Sequence, residues 1–125
     1  MRAFLKNYRQ SPRKVRLVTD SVKGKSVDQA VSALSFLPKR AGKPIAKLIL
    51  SAKSNAPTRN DTSILYIKSI RVDGGNTLKR STPGARGRAF PIRKRTSHVT
   101  IELGVREKHQ APSTKSEKKT QKANE

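Results

Sequence analysis

The sequence predicts an α+β domain in which three helices pack on a small antiparallel sheet and a long β-hairpin protrudes. Three observations lead there. Apolar residues recur at helical spacing in three successive stretches, then alternate with polar ones in two later stretches. Between those last two lies a connection, residues 74–97, that is rich in arginine and lysine and poor in large apolar side chains. Helices beside a segregated sheet are the signature of the class.

Taken in order, residues near Ala3–Tyr8 add a short strand. Ser11 before Pro12 reads as an N-cap followed by proline at the first helical position. Val15, Val18 and Val22 then follow at helical spacing, and Gly24 supplies the stop. Ser26 with Gln29 reads as a capping box; Val27, Ala30, Val31 and Leu34 form one face, and Pro38 closes that helix. In the third helix Ile45, Leu48, Ile49, Ala52 and Ala56 line one face and Lys43, Lys47 and Ser54 another, while Gly42 and Pro44 leave its start open to delay or a kink. These stripes are read as core packing. From Ile64 to Val72 the period becomes two, with Ile64, Tyr66, Ile70 and Val72 on the apolar side; Val99, Ile101 and Leu103 repeat the pattern.

Charge narrows the function. Among 125 residues, 29 Lys and Arg face 8 Asp and Glu, a net +21, with 33% apolar and 4% aromatic residues and neither Trp nor Cys. Disulfides, thiolate chemistry and Cys-ligated zinc are excluded. No run approaches the roughly 20 apolar residues of a membrane span, and the amino terminus lacks the apolar stretch of a signal peptide, so a cytoplasmic address is expected. So much positive charge on a small body calls for a polyanion. The excess is not a tail effect, since residues 104–125 hold only six basic and three acidic side chains. That segment lacks large apolar residues after Val105 and is expected to be a disordered basic tail, leaving 1–105 as the single domain and 106–125 outside it.

The connection 74–97 carries Lys79, Arg80, Arg86, Arg88, Arg93, Lys94 and Arg95, and no acid occurs between Asp73 and Glu102. With strands on both flanks, the simplest geometry is a hairpin reaching roughly 40 Å at about 3.3 Å per residue. A two-stranded ribbon is marginal alone in water, so a partner must surround it. Gly84, Ala85, Gly87 and Ala89 around Arg86 and Arg88 let backbone approach closely while guanidinium groups reach phosphates and stack on bases. A second cluster, Arg9, Arg13, Lys14 and Arg16, surrounds the start of the first helix, where backbone N–H groups already favour anions.

Ser11-Pro12-Arg13-Lys14-Val15-Arg16, Ser51-Ala52 with Asn55-Ala56, Leu78-Lys79-Arg80, Ala85-Arg86-Gly87-Arg88-Ala89 and Arg95-Thr96-Ser97-His98-Val99 occur in this order. Together they resemble the large-ribosomal-subunit protein L-twenty-two family, bacterial type, over roughly residues 3–103. The resemblance implies binding to large-subunit rRNA, a part in early subunit assembly, and a hairpin tip that helps line the peptide exit tunnel. It implies rRNA contacts for Arg9, Arg13, Lys14, Arg16, Lys79, Arg80, Arg86, Arg88, Arg93, Lys94, Arg95 and His98. The tunnel-side tip would be Pro83, Gly84, Ala85, Arg86, Gly87, Arg88 and Ala89. Implied partners are rRNA, neighbouring large-subunit proteins and the passing nascent peptide; no membrane, homo-oligomer, metal or cofactor is expected. Gly84 departs from the family, where an arginine often follows the tip proline, and Pro91 stands where a basic or polar residue is usual.

Rival readings have less to stand on. Asp20, Asp28, Asp61, Asp73, Glu102 and Glu107 show no paired-carboxylate or metal-ligand spacing, His98 is the lone body histidine, and no phosphate-cradling glycine loop occurs, so an enzyme such as a nuclease is not expected. A nucleic-acid chaperone or DNA-compacting protein would use the same charge but needs a groove-reading element. A membrane-active peptide would need a basic amphipathic helix with aromatics opposite.

Overall fold

A computed structural model describes residues 1–56 and 63–107. Along the chain run β1 (Arg2–Tyr8), α1 (Pro12–Val22), α2 (Val27–Phe36), α3 (Gly42–Ser54), β2 (Ser63–Pro83), a 3₁₀ turn (Ala85–Gly87) and β3 (Ala89–Glu107). The sheet is antiparallel in the order β1-β3-β2, so the last strand lies in the middle. The expected class is the one observed.

The core forms where the stripes converge. Val15, Val18 and Val22 of α1, Val27, Ala30 and Leu34 of α2, and Ile45, Leu48, Ile49 and Ala52 of α3 meet Val99, Ile101 and Leu103 of β3. Burying each Val, Leu or Ile side chain is worth about 1.5–3 kcal/mol, which holds the layers together. Gly24 ends α1 with φ +79, a left-handed value that glycine adopts without strain. The turn is then pinned to the sheet: Gly24 N–H donates to the Ile67 carbonyl (3.2 Å) and Ile67 N–H to that of Lys25 (3.0 Å). Ser26 caps α2, its Oγ accepting from Gln29 N–H at 3.4 Å.

Gly42 and Pro44 neither delay nor kink α3. The helix starts at Gly42, and Pro44 falls in the first turn, where a missing N–H removes no helical bond. Gly42 is buried, and a Cβ there would come within 3.1 Å of the Leu34 carbonyl oxygen, so the lack of a side chain lets α3 begin close against α2. At the other end α3 stops at Ser54, with Asn55 as its C-cap, so Ala56 lies beyond the helix.

The apolar face expected in β2 needs correction. Ile64 is exposed and Ile67 is fully buried. The cause is a bulge: Ile67 pairs with Leu103 but Ser69 with Glu102, leaving Lys68 as an extra residue. An inserted residue reverses which side chains face inward. Leu65 and Ile67 therefore point to the core before it, and Ile70 and Val72 after it.

The tail boundary also moves. Gly104, Val105 and Arg106 pair with Tyr66, Leu65 and Ile64, so β3 continues to Glu107. Gly104 leaves room for the Tyr66 ring, which would lie 2.8 Å from a Cβ, and the Arg106 guanidinium sits 5.0 Å from that ring's centroid. The rest of the expected tail, 108–125, lies outside the described residues.

Beyond Tyr8, which pairs with Ser97, β3 loses β1 and only β2 accompanies it. The hairpin expected at 74–97 is present, but Thr96 and Ser97 are buried in the body. A second bulge marks its root: Gly74 pairs with Ser97 and Thr77 with Arg95, so Gly75 and Asn76 face Thr96 alone. The Thr96 hydroxyl donates to the Asn76 carbonyl at 2.7 Å. The free arm thus begins at the Thr77–Arg95 pair and reaches about 30 Å, shorter than the length expected from 74–97. Pro91 lies where β3 has a single neighbour, a position that tolerates a missing donor.

Candidate nucleic-acid interface

The loop Arg9–Ser11 carries the chain from β1 into α1. Ser11 takes the extended N-cap conformation and Pro12 opens the helix, yet the Ser11 side chain makes no capping bond. No acidic residue occupies the first turn; Arg13 and Lys14 stand there exposed. This concentrates cations at the positive end of a helix dipole, an arrangement that an anion would relieve.

The fold brings this helix start against the root of the arm. Arg9, Arg13, Lys14 and Arg16 from one side, and Arg93, Lys94 and Arg95 from the other, line one open cleft of about 930 Å³. A smaller hollow of about 320 Å³ continues along the arm past Lys79 and shares Arg93 and Arg95. The two clusters, eighty residues apart in sequence, thus form a single surface. Among the described residues the ion pairs lie elsewhere: Arg2 with Glu102 (2.6 Å), Lys53 with Asp28 (3.0 Å) and Arg71 with Asp73 (3.0 Å).

Pairing sorts the arm into two faces. Residues directly opposite share a face. Thr77 with Arg95, Lys79 with Arg93 and Ser81 with Pro91 form one; Leu78 with Lys94, Arg80 with Ile92 and Thr82 with Phe90 form the other. Lys79 faces Arg93 directly, a like-charge pair that is unfavourable without an anion between the two. At the tip Arg86 has φ +57 and Gly87 φ +72, and Gly84 N–H closes the turn on the Arg88 carbonyl at 2.6 Å. Arg86 and Arg88 are exposed there and are not among the residues that line the cleft.

Two expected contacts are engaged within the chain. Arg16 donates from its guanidinium to the Val72 carbonyl, which ties α1 to β2 while it lines the cleft. His98 is half-buried between bulges of β1 and β2: its Nδ1 accepts from Asn7 N–H at 3.1 Å, and Asn7 has φ +54. It is not among the residues lining the cleft. The geometry gives it a role in positioning strands.

The profile of the family described as Ribosomal protein L22p/L17e matches residues 3–104. The chain belongs to this family. It is 48% identical over 109 residues to the large ribosomal subunit protein uL22 of Rubrobacter xylanophilus, covering 86% of each chain. It is 52% identical over 108 residues to the protein of that name from Deinococcus deserti, covering 84% of this chain and 77% of that one. The Deinococcus radiodurans protein is 52% identical over 102 residues, covering 79% and 75%. The matched span of this family member takes in all three helices, the cleft and the whole arm.

Sequence reading missed Arg40 and Gln10, which also line the cleft. Arg40 arrives from the turn between α2 and α3, held by the Tyr8 hydroxyl donating to its carbonyl at 3.3 Å. A lone arginine in a turn gives no local signal. Gln10 Oε1 is buried with no hydrogen-bond partner among the described residues.

Proposed function

We propose that the chain is a structural constituent of the large ribosomal subunit that binds large-subunit rRNA through the cleft and the arm. The cleft carries this reading: cations from two distant segments converge on one concave surface without an acid among its lining residues. Such a surface takes the sugar–phosphate backbone, because Arg and Lys gain by displacing the counterions condensed on it. The Arg13–Lys14 turn and the Arg93–Arg95 strand would grip one RNA segment from two sides. RNA between Lys79 and Arg93 would remove their repulsion, so the arm gains order as RNA closes around it.

The family relationship supports the rest. The helices and the sheet position the arm; the tip, Pro83–Ala89, would reach the wall of the peptide exit tunnel and meet the nascent peptide. Binding several rRNA regions at once suits a part in early assembly. Neighbouring large-subunit proteins would complete its surroundings, in the cytoplasm and within the ribosome. The relatives carry names of ribosomal components, which supports a non-enzymatic role. Among the described residues no helix is long and apolar enough to cross a membrane.

Sedimentation after a high-salt wash tests the reading. Loosely attached basic proteins wash off, because phosphate binding weakens steeply with salt. Retention in the large-subunit peak is the expected result; recovery only in light fractions overturns it.

A further inference from the structure

Phe90 stands on the arm with 59% of its surface exposed, in a segment that has no core for it to join. Its ring is nevertheless held. One edge lies against Gly84, where a Cβ would collide with the ring atom Cε2, approach Cδ2 at 2.8 Å and the Arg88 carbonyl at 3.2 Å. The Gly84 backbone is extended, with φ −118, so the conformation does not demand glycine; the space under the ring does. Register puts Phe90 across from Thr82, with Arg80 and Ile92 as the next pair on that face. The Arg80 guanidinium donates to the Lys79 carbonyl at 2.7 Å, which lays it along the strand. Arg88 lies two residues away on the tip side.

We propose that Phe90 is a stacking platform for an unpaired base of large-subunit RNA, with Arg80 and Arg88 on the adjoining phosphates. The inference rests on the rRNA-binding reading and adds a base contact to it. An aromatic ring seated against backbone in a basic segment is an arrangement by which proteins hold single-stranded nucleic acid, since every base offers a π-face. Charge points the same way: no acid lies between Asp73 and Glu102, so nothing on this stretch of sequence repels a phosphate chain. Gly84, the departure from the family pattern, becomes the residue that seats the ring.

Large subunits assembled with the full-length chain, or with Phe90→Leu, Phe90→Tyr or Gly84→Val, would be probed by 2′-hydroxyl acylation, which reads nucleotide mobility. A nucleotide beside the tip should be quiet with the unaltered chain and with Phe90→Tyr. It should become roughly tenfold more reactive with Phe90→Leu, the equilibrium worth of one stacked base, and with Gly84→Val, which evicts the ring. Phe90 is on the exposed arm, so melting of the free chain should not change in any variant. Occupancy in the same gradient fractions separates two failures. Normal occupancy with an unchanged reactivity pattern in Phe90→Leu overturns the platform alone. Absence of the unaltered chain from the large-subunit peak overturns the rRNA-binding reading and the platform with it.

Discussion

The Arg16 guanidinium donates two hydrogen bonds to the Val72 carbonyl, from Nε at 3.2 Å and from Nη2 at 2.9 Å. This fork joins the exposed side of α1 to β2 just before the root of the arm. Arg16→Met should lower stability by about 1 kcal/mol, near the worth of one such contact at a wet site. The thermal midpoint would fall by roughly 4–8 °C for a domain of this size. Arg16→Lys should recover less than half, because an ammonium lacks the rigid planar fork that aims two N–H groups at one oxygen. Circular-dichroism melting of the full chain decides it, and an unshifted midpoint in Arg16→Met would show the fork to be idle.

The Lys68 bulge separates two isoleucines that look equivalent in sequence. Ile67→Ala should cost about 2–5 kcal/mol, as for deletions in a packed core. Ile64→Ala should stay within about 0.5 kcal/mol, as for exposed positions. Denaturant titration of both variants checks the phase reversal; equal costs would contradict it.

At the arm's root, Gly75 has no room for a side chain. A Cβ there would run into the Thr96 hydroxyl and lie 3.0 Å from His98 Nε2. Gly75→Ala should destabilise by about 1–3 kcal/mol, the usual penalty of overpacking. Combined with Thr96→Ala, the loss should be smaller than the sum of the two single losses, because the second change removes the obstructing atom. Additive losses in a double-mutant cycle would rule out the clash.

The cleft cations should act through phosphates. For binding to a large-subunit rRNA fragment, Arg13→Ala or Arg95→Ala should each reduce the slope of log affinity against log salt by about 0.7–0.9, one phosphate's share. Arg71→Ala should leave the slope unchanged, since that side chain is paired with Asp73. Titrations at four salt concentrations suffice, and three identical slopes would place the RNA elsewhere.

At the tip, Arg86→Ala with Arg88→Ala should leave melting of the free chain untouched, as both side chains are exposed. Incorporation into subunits should fall in cells that also make the unaltered chain. Equal occupancy of the two forms would deny the tip any part in binding.

What the sequence made legible follows from physical range. Helices and their ends depend on residues a few positions apart, so Ser26–Gln29 and the Val15–Val18–Val22 stripe could be read directly. Val99, Ile101 and Leu103 alternate cleanly, and all three are buried. The bulges at Lys68 and at Gly75–Asn76 could not be read, because each is a mismatch of count between two strands. For the same reason simple alternation places Ile64 on the wrong face. The basic clusters were evident as composition; that Arg13 and Arg93 share a cleft depends on how α1 packs against the sheet. His98 shows the converse, a histidine in a basic motif whose Nδ1 is taken by the backbone of Asn7.

β3 is one strand that runs from Ala89 at the tip through Val99, Ile101 and Leu103 in the core to Glu107. Mechanically the arm is therefore a cantilever clamped at its root rather than a tethered loop. A rotation of about 6° at the Gly75–Asn76 bulge would swing a tip about 30 Å away by roughly 3 Å, the width of a single atom. The aim of the tip is thus set by packing around Thr96, Ser97 and His98, far from anything the tip touches. Wear at that clamp would be felt as misalignment at the free end.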